Sequence, residues 1–319
     1  MGQPVLMWPA DDGAAWQRAQ HRPLARIAAR MTYEFLLDAA REITRMGEGN
    51  FDLGVVLISL LQTGGASGGD HEGPSPGLTV SGLATSFGRP FETIRRHVNT
   101  LIQRGLCVRT PSGITMPAAA LGDPALVGSM IALHDLTVRL AEDLARVGYP
   151  LPPTIAGTPP FDLIARTGID LFVCALDFAA PRHEDWTSMV LFAAVMTANA
   201  RSFNFDPVLT WRYSEMTTPP PEQIRRPVSA RILSRALAMP YPTLRRHLAR
   251  LEEEGRIVRR VGGYLIPTEW LQKPDQMAVS DYLSQRLAIL FGRLAQAGFP
   301  FDDPASRYCH ARPPLTDFS

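Results

Sequence analysis

Apolar positions between residues 230 and 267 change period once, from helical to alternating. Ile232, Leu233, Ala236 and Leu237 recur at helical spacing behind Ser229, a good helix-capping residue, so a helix is predicted over about 230–237. Leu244, Leu248 and Leu251, at i, i+4 and i+7, predict a second helix that opens at Pro240 and runs to about Glu254. Gly255 suits the left-handed residue that closes it. The pattern then becomes that of strands: Arg256 to Val261, a two-residue turn at Gly262-Gly263, and a return through Tyr264, Leu265 and Ile266. Residues 81–117 read the same way, with helices at Ser81–Phe87 and Pro90–Arg104, then Gly105. A strand follows at Leu106–Arg109, a turn at Pro111-Ser112-Gly113, and a second strand at Ile114–Met116. Apolar helices at Phe51–Leu61 and Trp186–Ala198 precede the two sets. Long amphipathic helices follow them, at about Pro124–Val147 and Asp275–Ala297.

The likeness between the two sets is a repeat. Leu83–Pro117 aligns with Leu233–Pro267 at a constant offset of 150, without gaps. Identical pairs include Pro90/Pro240, Thr93/Thr243, Arg95/Arg245, Arg96/Arg246, His97/His247, Leu101/Leu251, Gly105/Gly255, Arg109/Arg259 and Gly113/Gly263. The register holds through the trailing helices to Gly148-Tyr149-Pro150 and Gly298-Phe299-Pro300, and breaks upstream. The order helix, turn, helix, hairpin predicts a mainly α fold with small β-hairpin wings: two tandem winged helix-turn-helix domains related by internal duplication. The first domain is expected over 24–152 and the second over 161–303, joined by a Pro/Gly linker at 153–160, with a polar tail at 304–319.

Charge sharpens this picture locally rather than globally. The net charge is +1, yet Arg89, Arg95, Arg96, Arg104 and Arg109 against the single Glu92 leave residues 83–117 at +4. Residues 233–267 reach +4 as well, with seven arginines against Glu252, Glu253 and Glu254. Two such patches in a nearly neutral chain predict local contact with a polyanion. Cys107, Cys174 and Cys309 are scattered and odd in number, which argues against a disulfide framework. Cys309 beside His310 has no partner pair at metal-ligand spacing. The first sixteen residues lack the apolar core of a signal peptide. The most apolar run, Met189–Ala198, is about half a membrane span. A cytoplasmic, nucleoid-associated protein without membrane contact is expected.

Arg89-Pro90-Phe91-Glu92-Thr93-Ile94-Arg95-Arg96-His97-Val98 and Met239-Pro240-Tyr241-Pro242-Thr243-Leu244-Arg245-Arg246-His247-Leu248 resemble recognition helices of bacterial winged-helix regulators of the GntR, IclR and MarR groups. The resemblance implies double-stranded DNA as the partner. It makes Arg95 and Arg245 base-contact residues, and Arg96, Arg246 and Arg250 phosphate contacts. Arginine addresses guanine bidentately from such a helix. Thr93 and Thr243, with Arg89 and Asn99, complete the helix set, and Arg109, Arg259 and Arg260 are the wing residues. His97 and His247, beside the leucine stripe, are expected to pack or to contact phosphate. The duplicated arrangement departs from all three groups, and no effector domain typical of GntR or IclR proteins is present.

Signatures of enzymes are missing: no dinucleotide-binding glycine motif, no phosphate-cradling Gly-Lys-Ser/Thr loop, no histidine pair with metal spacing. The glycine-rich stretch Gly64–His71 reads as a flexible loop. The second copy carries a longer insertion, Ser202–Pro227, in which Trp211 and Tyr213 are apolar for a loop. The expectation is therefore a non-enzymatic, sequence-specific transcriptional regulator with no cofactor and no metal, reading two half-sites about one helical turn apart. The helices after each wing are expected to pair as a homodimer or as an internal pseudo-dimer; a small-molecule effector is left open. Two rivals share the pattern. One is a plasmid-type replication initiator with tandem winged helices. The other is a protein-interaction module of a chromosome-organising complex.

Overall fold

A computed structural model describes residues 24–64, 77–179, 182–183 and 185–319. The readings of the N-terminal sixteen residues, and of the glycine-rich stretch beyond Gly64, lie outside the described residues. The protein is mainly helical with two small antiparallel hairpins. It divides into two compact units. Among the described residues, the first spans 40–133 and the second comprises 24–39 with 134–319. Both boundaries fall inside long helices: α1, Ala25–Met46, and α5, Pro124–Arg146.

In the first unit, α2 (Phe51–Gly64), α3 (Val80–Phe87) and α4 (Phe91–Gln103) pack together and feed a hairpin of β1 (Val108–Thr110) and β2 (Gly113–Thr115). The helices form because each has a cap and an apolar stripe. Thr79 caps α3, accepting the Gly82 N–H at 2.9 Å. Ile94, Val98 and Leu101 of α4 are fully buried.

The second unit repeats this order with α7 (Trp186–Asn204), α9 (Ala230–Ala236), α10 (Tyr241–Glu253), β3 (Val258–Arg260) and β4 (Gly263–Leu265). Ser229 caps α9 as expected. Leu233, Leu244, Leu248, Leu251 and Ile257 fill a core closed by Leu191 and Val195 of α7 and by Tyr264 and Ile266 at the hairpin. Between α7 and α9 the insertion forms the short helix α8, Pro207–Arg212. Its Trp211 donates an indole N–H to the Val147 carbonyl at 2.6 Å, while Tyr213 lies edge-on to Phe203. After the hairpin comes α11 (Thr268–Leu271), then α12 (Pro274–Gln296), which packs along α6 (Phe161–Ala179).

The offset of 150 governs backbone geometry as well as sequence. The helices α4/α10 and α5/α12 and both hairpins begin and end at positions exactly one repeat apart in number. Each hairpin also gains one extra residue of pairing from the chain before its first helix, Leu78 with Ile114 and Val228 with Tyr264, again 150 apart. This pairing brings the backbones so close that a Cβ at Gly263 would meet the Val228 carbonyl oxygen at 2.1 Å. Glycine is thus required there, and at its counterpart Gly113, by packing as well as by their positive φ.

The turn between the two helices breaks the symmetry instructively. Gly88 holds φ +59° in the first unit, but in the second unit the left-handed residue is Ala238, at φ +49°. An L-residue with a Cβ pays about 1 kcal/mol or more for that conformation, partly offset by its stiffer unfolded chain. Ala238→Gly is therefore expected to raise the stability of the protein by about 0.5 kcal/mol, and Gly88→Ala to lower it by about 1 kcal/mol or more. Denaturant unfolding of the two variants reads both signs, and a loss of stability on Ala238→Gly refutes the account.

Candidate nucleic-acid interface

The second helix of each unit has two faces with different chemistry. On α4 the buried stripe turns Glu92, Arg95 and Arg96 outward into solvent; on α10 the same geometry exposes Arg245 and Arg246. Thr93, Asn99, Thr243 and Arg250 lie at the edges of these faces, half-buried. The aromatic residue that opens each helix, Phe91 or Tyr241, is exposed beside the arginines. The surface of each unit thus offers a helix bearing an arginine pair, with a hairpin in the same unit bearing Arg109 in the first and Arg259 and Arg260 in the second.

The twelve residues singled out from sequence differ in how far they are already committed. Arg95 is gripped by Glu92 one turn earlier, at 2.6 Å, and this bond holds the Glu92 carboxyl below its ordinary range. Position 242 is proline where the first copy has Glu92, so α10 has no such carboxylate. Among the described residues, the guanidinium groups of Arg96, Arg245 and Arg246 have no ion-pair partner. Arg250 faces Glu254 at 3.5 Å, and Arg89 reaches back to Asp52 of α2 at 3.5 Å.

The hairpin arginines are braced within their own units. Arg109 donates to the Asn99 side chain at 3.0 Å, which ties β1 to α4. Its counterpart Arg259 finds alanine at 249 and turns instead to Tyr264, donating to the phenol oxygen at 2.7 Å and lying over the ring. Arg260 pairs with Glu222 of the insertion at 3.1 Å. These contacts aim the arginines without burying them, since Arg109, Arg259 and Arg260 all remain exposed.

Sequence reading missed Val261. It sits at the tip of the second hairpin between Arg260 and the glycine turn and is 99% exposed. It is an apolar side chain displayed beside a cation. The available signal was an apolar residue at a predicted turn. Both histidines lie half-buried beside the apolar stripe. His247 bonds the Ser188 hydroxyl at 3.0 Å at the start of α7, where Asp185 caps the helix. His97 is half-buried, and burial lowers its pKa below the ordinary range.

Away from this surface, in the second unit, Cys309 has neighbours its sequence spacing did not reveal. His134 and Asp135 of α5 lie beside it, with ligand-capable atoms within 4.8 Å of one another. Asp135 accepts the backbone N–H groups of Cys309 and His310 at 2.8 and 3.2 Å, and the His134 ring stacks on Phe161. The cluster therefore anchors the C-terminal segment to α5. No described helix is long and apolar enough to cross a membrane. A scan against protein-family models and searches of curated proteins and of solved structures find no match to the chain.

Proposed function

We propose that the chain is a sequence-specific, double-stranded DNA-binding transcriptional regulator built from two winged helix-turn-helix units. The observation that carries this reading is the recurrence, at one register of a duplicated helix–turn–helix–hairpin, of an arginine pair turned outward by a fully buried apolar stripe. Arginines on a helix are commonly a solvated face. Here the same two positions carry them in both copies, within local patches of +4 on a chain of net +1. Each second helix would enter a major groove and each hairpin would reach the neighbouring backbone or minor groove.

Binding to genomic fragments across a salt series tests the reading. Affinity for the preferred duplexes is expected to fall linearly with the logarithm of salt concentration, with a slope of about −0.9 per neutralised phosphate. Arg96→Ala with Arg246→Ala should shallow that slope by about two contacts' worth while leaving the order of preferred sequences unchanged. Binding that is absent, or indifferent to both sequence and salt, refutes the proposal and favours a protein-interaction module.

A further inference from the structure

Within the second unit, three arginines from two segments line one cavity of about 40 Å³: Arg26 and Arg30 of α1, and Arg225 of the insertion. All three side chains are buried, at 6%, 8% and 4% exposure. None has a carboxylate within ion-pair distance among the described residues, Glu222 and Glu269 acting on Arg225 only from farther off, and no aspartate or glutamate lines the cavity.

Their donors are spent mostly on neutral oxygens. Arg26 donates to the Glu215 carbonyl at 2.8 Å and the Met216 carbonyl at 2.5 Å. Arg30 donates to the Asn204 side-chain oxygen at 3.2 Å and to the Tyr213 and Thr210 carbonyls at 2.9 and 3.1 Å. Arg225 donates to the Ile266 carbonyl and, at 2.7 Å, to the Thr268 hydroxyl, while its Nε is buried with no partner at all. Carbonyl dipoles satisfy N–H groups but do not neutralise charge, and buried cations are costly unless an anion compensates them. The strain registers in the groups themselves. Burial, with Arg225 nearby, lowers the Arg26 pKa to about 10; burial, with Arg26 nearby, lowers that of Arg30 to about 9.

The rest of the cavity wall includes Ala29, Met196, Phe203 and Leu271, all apolar. A water needs about 10–15 Å³ of such space, so the cavity holds only a few heavy atoms. Tyr33, Gln276 and Ser280 add polar groups, and a wall that combines buried arginines with methyl and phenyl groups matches a short-chain carboxylate. We propose that this cavity is a binding site for a small organic carboxylate, the arginine trio receiving its oxygens.

The site has a direct link to the hairpin. Arg225 holds the Ile266 carbonyl, and Asn199, also in the cavity wall, accepts the Ile266 N–H at 2.9 Å and donates to the Tyr264 carbonyl at 3.1 Å. An anion drawing on Arg225 therefore acts on the residues that end β4.

The inference does not rest on DNA binding and is tested without DNA. Calorimetry and thermal unfolding of the full chain are run with sodium acetate, butyrate and phosphate at fixed ionic strength, with chloride as the control. The expected result is saturable one-to-one binding of acetate, with a matching rise in melting temperature, weakened about tenfold or more in Arg225→Gln. Ala29→Val fills the cavity from its apolar side and keeps all three arginines. It should abolish binding even if Arg225→Gln does not fold. No shift beyond chloride, or binding that survives Ala29→Val unchanged, overturns the site and leaves the arginines as latches of the insertion. Stabilisation by phosphate and by neither carboxylate overturns the carboxylate assignment and assigns an inorganic oxyanion.

Discussion

Arg95→Ala combined with Arg245→Ala is expected to abolish the protein's preference among duplexes while leaving it folded. Both side chains are exposed, and neither contributes to a core, so truncation should cost little stability. Each guanidinium that forks onto a guanine is worth about 1–3 kcal/mol of discrimination, or about tenfold to a hundredfold at its base pair. The two replacements should not weigh equally. Arg95 must first yield or share its bond with Glu92, whereas Arg245 has no ion-pair partner among the described residues to give up. Arg245→Ala alone should therefore cost more affinity than Arg95→Ala alone, and Glu92→Ala should strengthen binding by removing a carboxylate from a surface that meets phosphates. Competition binding against a library of duplexes measures all four variants. Retained preference in the double variant ends the assignment of these residues to bases.

The sequence discloses this surface well because the information is local. Ile94, Val98 and Leu101 lie on one side of a helix by spacing alone, so Arg95 and Arg96 must face the other way. The hairpins were legible for the same reason: Gly262-Gly263 and Ser112-Gly113 mark turns in a period-two pattern. The helix limits moved slightly. Pro240 became the residue before the helix rather than its first, because its extended backbone angle leaves the α region to Tyr241.

What was illegible depends on partners far along the chain. The helices α1 and α6 escaped notice, and the polar side chains of α1 explain why. Arg26, Arg30, Glu34 and Asp38 recur every four residues, the pattern of a solvated face, yet all four are buried. Glu34 meets Arg201 at 2.5 Å and Asp38 meets Arg139 at 2.6 Å. The segment 304–319 misled in the same manner. Its prolines and charges look like a polar tail, yet Arg312 reaches Glu142 and Asp143 of α5, both at 2.5 Å, and Thr316 is buried against Asp38. Hydrophobic patterning cannot see a charge whose counter-charge lies more than a hundred residues away. The carboxylate-free arginine trio belongs to the same class of hidden feature.

Those buried pairs support the largest stability prediction. Arg139 is only 1% exposed and serves several groups at once. It donates to Asp38 at 2.6 Å and to the Pro314 carbonyl at 2.9 Å, and lies 3.9 Å from Asp143. Arg139→Met keeps the volume and removes the cation, which should cost about 3–5 kcal/mol because it takes a buried counter-charge from Asp38 and Asp143. The loss should depend on pH with a definite sign. Burial already raises the Asp143 carboxyl above its ordinary range, and withdrawing Arg139 removes one of the charges that lower it. A carboxyl whose folded pKa exceeds its unfolded value binds more protons when folded, so its contribution to stability is present at acidic pH and is lost as pH rises through the folded pKa. The penalty of Arg139→Met should accordingly be greatest near neutrality and shrink as the solution is acidified. Pairing it with Asp38→Asn should recover part of the loss, since a neutral amide keeps an oxygen for Thr316 without an uncompensated charge. Urea unfolding of the single and double variants at two pH values checks each step. A single variant that loses less than about 1 kcal/mol, or whose loss grows on acidification, contradicts the claim that Arg139 neutralises a buried acidic site.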